Sequence, residues 1–234
     1  MLEKEYYPVV QRFLEGHMNC VVSAIQRNGH SEPFVCRGLN RLIVDVYGVR
    51  GFDSRHSRRV EGIAVEVKPK ERRTSLRDIV QARQYSALAH RCYLAQPRDF
   101  DTVTIQEASK QGVGLLKIRG DKVQVVAESA PFFPDPDTFN LFLHRSLDIV
   151  RCAVCGCYRF RYSKSTDGVR TDAGIAGHWV GDHVVARGAT GALNKKMFLC
   201  ERCEVILREA LGIRRLQSEV DMLRRAVSRL KKRK

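Results

Sequence analysis

At 234 residues, with 44% hydrophobic side chains and only 7 prolines, the chain can bury one good core and carry a smaller second module, which excludes a disordered or fibrous protein. Its net charge of +15, from 41 Lys and Arg against 26 Asp and Glu, favours a polyanionic partner, nucleic acid first and an anionic membrane surface second. No run of 18 apolar residues is present, so no membrane span is expected.

The first residues, MLEKEYYPVV, lack an apolar signal core. The expectation is an intracellular protein, cytoplasmic or nucleoid-associated, whose 8 cysteines sit in a reducing compartment and hold metal rather than pair in disulfides. Tyr6, Val9, Val10, Phe13 and Leu14 fall at helical spacing and predict a helix over 2–16, closed by Gly16. Glu3 and Glu15 read as solvated helix carboxylates. Met18 to Ile25 reads as a strand, followed by a turn at 27–29 and a short extension at 34–36.

Two β-branched runs follow, Leu42 to Tyr47 and Ile63 to Val67, joined by an arginine-rich loop and ended by Pro69. Thr74 or Ser75 caps a helix over 76–89, with Asp78 completing a capping-box pattern. A strand over 91–95, a helix over 99–111, and strands over 113–119 and 122–127 around a Gly120-Asp121 turn complete an α/β layout: a mixed sheet flanked by helices. This core spans 1–127. Residues 128–150 read as a proline-rich linker and a connecting helix, 151–211 as a zinc-binding module, and 212–234 as a basic helix.

Charge interrupts the two runs where strands are most buried. Asp45 lies in the first; Glu66 and Lys68 share one face of the second, while Val65 and Val67 share the other. Buried ionisable groups are costly unless they act together. Two carboxylates and a lysine at one spot suit a hydrolytic site for Mg²⁺ or Mn²⁺: Asp45 and Glu66 supply oxygen ligands, and Lys68 serves the attacking water or the phosphate. The competing reading is an internal salt bridge in a plain sheet.

Asp45, then 20 residues, then Glu66-Val67-Lys68 resembles the PD-(D/E)xK nuclease superfamily, and the element order is similar to its restriction-endonuclease-like core. Gln81-Ala82-Arg83-Gln84-Tyr85 on the following helix resembles the QxxxY element of the RecB-like and Holliday-junction-resolvase-like branches. The resemblance covers roughly residues 1–127. It implies that Gln81 and Tyr85 support the DNA backbone beside the metal, and that a first-helix glutamate, Glu5 by position, approaches it. Val44 stands where many members have proline before the aspartate. Arg55, Arg58 and Arg59 in the loop, with Arg72, Arg73, Arg77, Arg83 and Arg91, form a candidate phosphate-facing rim.

Cys152-x-x-Cys155 and Cys200-x-x-Cys203 are two pairs that complete a tetrahedral Zn²⁺ site in a treble-clef or zinc-ribbon layout. Cys157 is a spare ligand; Cys20, Cys36 and Cys92 read as core residues. Between the pairs, Asp182-His183 and Asn194 resemble the HNH endonuclease pattern, with His183 as its general base and His178 or Asp182 as neighbour. Glu204 stands where a terminal Asn or His is expected, so a structural or DNA-docking zinc module is the favoured reading. From Ile213 to Leu230, β-branched residues at a and leucines at d predict either a two-stranded coiled coil, hence a homodimer, or a helix packing on its own chain.

The sequence thus points to a metal-dependent nuclease acting on DNA, with RNA not excluded. The zinc module and the tail are expected to aid binding or dimerisation. The alternative is a non-catalytic zinc-containing DNA-binding or regulatory protein on an inactive nuclease scaffold.

Overall fold

The computed structural model describes residues 2–25, 42–51, 59–69, 73–147, 149–160, 177–180 and 197–210. The turn expected at 27–29, the extension at 34–36, Arg55, Arg58, Arg72, the Asp182, His183 and Asn194 pattern, and the 213–230 heptads lie outside the described residues. The chain divides into two compact units, 1–150 and 151–234. None of the described helices is long and apolar enough to cross a membrane.

The first unit is α/β. Its six-stranded mixed sheet takes the order β1 (Cys20–Ile25), β2 (Val46–Arg50), β3 (Glu61–Val67), β4 (Arg91–Gln96), β5 (Gly114–Arg119) and β6 (Lys122–Ala127). β1, β2 and β3 pair antiparallel, β3, β4 and β5 parallel, and β6 returns antiparallel on β5. The parallel steps require crossovers, and α2 (Leu76–Gln84) and α3 (Thr102–Gln111) supply them.

Alternation along β3 sorts the sheet's two faces. Ile63, Val65 and Val67 join Val46, Tyr93, Ala95 and Leu116 in the cluster packed under α1 (Tyr7–Gly16), where Val10 and Leu14 are fully buried. On the opposite face Leu94 and Leu115 pack with Ile79 and Ala82 of α2 and Ala108 of α3. α4 (Pro136–Leu147) covers that same face: Phe142 meets the Tyr47 ring edge-on at 4.7 Å, and Phe139 meets His90 at 4.8 Å. Gly62 is required there, because a Cβ would fall 1.9 Å from the Tyr47 hydroxyl. The stretch 128–150, expected as linker and connecting helix, therefore belongs to the first unit.

Of the boundaries that differ from expectation, three bear on the site. The first helix begins at Tyr7, after a 3₁₀ turn over Glu3–Glu5, because Pro8 fits only the first turn of an α-helix. The second helix gives way to a 3₁₀ turn at Tyr85–Ala87. β2 starts at Val46, so Asp45 stands just before the strand and not within it.

The second unit is described in pieces. β7 (Ile149–Arg151) ends at its edge. β8 (Tyr158–Phe160) follows a knuckle in which the Cys152 N–H donates to the Cys157 carbonyl at 2.8 Å and the Gly156 N–H to the Cys152 carbonyl at 3.0 Å. Gly156 takes φ +72°, which a side chain resists. β9 (Gly177–Val180) pairs antiparallel with β10 (Met197–Cys200), which runs directly into α5 (Glu201–Ala210).

Candidate active site

Register brings Asp45 and Glu66 to one spot. Val46 pairs with Val65, so the residue before Val46 and the residue after Val65 lie level with each other. Asp45 Oδ2 accepts the Val67 N–H at 2.8 Å, which closes the ladder past its last strand pair. Asp45 Oδ1 accepts from the Tyr7 hydroxyl of α1 at 2.8 Å. That hydroxyl also lies 2.9 Å from Glu3 Oε1. Glu3 therefore occupies the place expected for Glu5. Glu5 is exposed and accepts the Leu2 N–H at 2.9 Å instead, a consequence of the 3₁₀ turn.

Glu66 points to the α2 face and is 2% exposed. The Lys68 ammonium donates to its Oε1 and the Tyr85 hydroxyl to its Oε2. Tyr85 also reaches the Ile43 carbonyl at 2.6 Å. A phenol carries one proton, so Tyr85 cannot donate fully to both oxygens at once. Protonating Glu66 resolves the conflict: Glu66 then donates to Tyr85, and Tyr85 to Ile43. Lys68 further lies 3.4 Å from Gln81 Oε1 and 3.7 Å from Asp78 Oδ1. Asp78, 2% exposed, also fixes the start of α2, where its Oδ2 accepts the Ser75 N–H at 2.7 Å and the Ser75 hydroxyl at 2.9 Å.

Electrostatics follow from this crowding. Burial pushes the Glu66 carboxyl up to about 7, and the charge of Asp45 adds to it, against the opposing effects of Lys68 and Tyr85. Burial also raises Asp45, opposed by the Val67 N–H and the Tyr7 hydroxyl and reinforced by Glu3. Burial acts against the Lys68 ammonium, but the charges of Glu66 and Asp78 outweigh it and hold the amine above its ordinary value. Burial and the adjacent carboxylates keep the Tyr7 and Tyr85 hydroxyls protonated far into the alkaline range. Three carboxylates, Asp45, Glu66 and Asp78, thus surround Lys68, with Glu3 as a fourth at the rim. No three of these carboxylates bring an oxygen each within 4.8 Å of one another, so the surplus is one of charge and not of a gathered ligand set.

Of the expected arginine rim, the described members part company. Arg59 is exposed. Arg77 lines a shallow groove on α2 with Leu76 and Gln84. Arg73 lines a separate cleft beside the end of β4. Arg83 and Arg91 do not belong to the rim. The Arg83 guanidinium stacks 4.2 Å over Phe132 and donates to Ser86 at 2.6 Å, while Arg91 pairs with Glu61 at 2.8 Å and donates to the Ser129 carbonyl. Sequence reasoning placed Asp78 in the cap of α2 but missed its approach to Lys68, and it missed Tyr7 and the role of Glu3. Glu3 and Tyr7 stand at i and i+4, and Pro8, which sets the start of α1 at Tyr7, was the signal for that pair.

In the second unit, the thiols of Cys152, Cys155 and Cys203 lie within 4.8 Å of one another, so this cluster could hold a metal ion. Cys200, the fourth cysteine of the expected set, ends β10 directly before α5. Among the described residues, this is the group of three or more Cys, His, Asp or Glu side chains gathered that closely.

No family model matches the chain, and no curated protein matches it. A solved structure that is similar to it is that of a protein of unknown function from Silicibacter pomeroyi, at 19% identity over 62% of this chain and 84% of that one, with a TM-score of 0.40.

Proposed function

We propose that this protein is a metal-dependent nuclease that hydrolyses phosphodiester bonds in DNA through a restriction-endonuclease-like core. The observation that carries the reading is the convergence of Asp45, Glu66 and Lys68 at the ends of β2 and β3, with Gln81 and Tyr85 of the next helix in the same network.

In this reading Asp45 and Glu66 hold Mg²⁺ or Mn²⁺, which when bound would acidify a water and polarise the phosphate. Tyr7 and the Val67 N–H fix the orientation of the Asp45 carboxylate. Tyr85 does the same for Glu66, and its hydroxyl stays protonated as a donor. Asp78 and Glu66 keep Lys68 charged, so it favours negative charge growing on the phosphate. Gln81, exposed on α2, stands beside Lys68 where the DNA backbone would run. The cysteine cluster is proposed to hold Zn²⁺ as a structural or DNA-docking element.

A non-catalytic scaffold is the second reading, and the Lys68–Glu66 ion pair favours it, since both Glu66 oxygens already have partners. Incubating the purified protein with plasmid, linear, single-stranded and branched DNA, with Mg²⁺ or Mn²⁺, separates the two. The nuclease reading expects cleavage that Asp45→Asn and Lys68→Ala each abolish. Cleavage unchanged in both variants overturns the site, and tight salt-sensitive binding without cleavage under either metal supports the scaffold.

A further inference from the structure

A second concavity lies beyond the carboxyl end of β4, next to the site. It has a volume of about 390 Å³ and is lined by Arg73 and Thr74, the end of β4 at Gln96, and the turn carrying Arg98 and Phe100 into α3. Such a volume is within the roughly 300–1,000 Å³ of small-ligand clefts. The cleft is coupled to the site through backbone and side chains. The Lys68 N–H donates to the Ala95 carbonyl at 2.8 Å, one residue before Gln96, and Thr74 precedes the Ser75 that Asp78 holds. In open α/β sheets, ligands settle in the crevice outside the carboxyl ends of parallel strands, and β3 and β4 are such a pair here.

The chemistry of the lining is specific in what it has spent and what it has left. Gln96 is 2% exposed, and its amide is fully engaged: Nε2 donates to the Arg98 and Asp99 carbonyls at 3.3 Å each, and Thr74 donates to Oε1. The two acidic side chains are also engaged. Asp99 pairs with Lys117, and Asp101 accepts the Thr104 N–H at 2.7 Å to cap α3. The exposed guanidinium groups of Arg73 and Arg98 remain for a ligand. Phe100 packs one side against the core under α2 and α3 and lends the rest of its ring to the cleft. Against Asp99 and Asp101 the surroundings set four cations, Arg73, Arg98, Lys117 and Arg119, so the local balance is positive.

We infer that this cleft holds one unstacked nucleotide of the nucleic acid, next to the phosphodiester at the site, with its phosphate on Arg73 and Arg98 and its base against Phe100. The identity of the polyanion rests on the nuclease reading above. With the buried amide and the capping aspartate already bonded, what the cleft offers is guanidinium charge for a phosphate and the ring of Phe100 for stacking, which any base can do. The nucleotide is therefore held without regard to which base it carries.

The test is binding of a labelled single-stranded DNA of about 15 nucleotides to the full chain with no Mg²⁺ or Mn²⁺ added and no chelator, followed by fluorescence anisotropy across a salt series. Working without added divalent metal keeps the result apart from cleavage: loss of cleavage with intact binding sinks the nuclease reading alone. Arg73→Ala with Arg98→Ala is expected to weaken binding about 10-fold near 0.1 M salt and to lower the log–log salt slope by about 0.7 to 1.4. Phe100→Leu, which keeps the core packing, is expected to weaken it about 5-fold or more with no change in slope, equally for poly-dT and poly-dA. Wild-type affinity in the arginine double variant overturns the assignment. So does an equal loss in the control Arg12→Ala with Arg145→Ala, which removes two exposed cations elsewhere on the first unit.

Discussion

Asp45 accepts the Val67 N–H at 2.8 Å, so a carboxylate closes the ladder between β2 and β3 at the point where the two strands part. The same contact aims the other carboxylate oxygen at Tyr7 and sets the charge of Asp45 against Glu66. A structural bond and a functional one are thus made by one side chain, which allows substitutions that separate them.

Asp45→Asn and Asp45→Ala are expected to abolish cleavage equally, by about 10²-fold or more, yet to move stability in opposite directions. In Asp45→Asn the amide oxygen still accepts from Val67, and the amide nitrogen donates to Tyr7, which frees the single Tyr7 proton for Glu3. The raised carboxyl of Asp45 no longer has to be ionised in a desolvated place, so the variant melts higher in EDTA. In Asp45→Ala the Val67 N–H loses its acceptor, at a cost of about 1–3 kcal/mol. Thermal unfolding of the two variants beside the wild type checks the sign of each.

Asp78 ties the start of α2 to Lys68, and two substitutions divide these roles. Asp78→Asn keeps an acceptor for the Ser75 N–H but removes the charge 3.7 Å from the ammonium. Its stability is expected to fall by less than about 1 kcal/mol, while the alkaline limb of the cleavage pH profile moves down, since Lys68 gives up its proton more readily. Asp78→Ala removes both and is expected to cost about 1–2 kcal/mol through the lost cap alone. A pH–rate profile that is the same in Asp78→Asn as in the wild type would show that Asp78 serves only the helix.

The pairing of β-branched runs made β2 and β3 legible, and alternation placed Glu66 apart from Val65 and Val67 before any coordinates. What alternation could not supply was the start of β2. Strand Asp45 or pre-strand Asp45 depends on which neighbour takes the Val67 N–H, a contact 22 residues away in sequence. The first helix failed for a different reason. Apolar spacing ran smoothly from 2 to 16, but Pro8 delays the α-helix to Tyr7, and that shift exchanges Glu5 for Glu3 at the site. Arginines gave the weakest signal. Arg83 and Arg73 look alike along the chain, and only Phe132, 49 residues on from Arg83, decides that Arg83 packs inward while Arg73 faces a cleft.

The cysteine cluster predicts a metal-dependent second unit. Purified protein is expected to carry about one Zn²⁺ per chain by elemental analysis, and Cys152→Ser or Cys203→Ser to lose it. Chelation should release the metal and expose the 151–210 region to protease while 1–150 stays resistant, because the first unit has its own core. Full protease resistance after chelation would remove zinc from the account of this unit.

Glu66 gives the sharpest dependence on pH. Its carboxyl is raised from the ordinary 4.5 to about 7, so the folded protein binds that proton more tightly than the unfolded chain does. The stabilisation is full below about 4.5 and is lost as pH rises through 7, a range worth up to about 3 kcal/mol at 1.36 kcal/mol per unit. In EDTA the melting temperature is therefore expected to fall between pH 5 and pH 8, taken as roughly that window. Glu66→Gln should flatten the fall, since an amide neither titrates nor repels Asp45. Mg²⁺ or Mn²⁺ at the alkaline end should restore stability in the wild type by stabilising the ionised carboxylates, and should do so weakly in Glu66→Gln. A melting temperature in EDTA that does not fall as pH rises would mean that Lys68 keeps Glu66 ionised throughout, and the site would then be a closed salt bridge with no room for a metal.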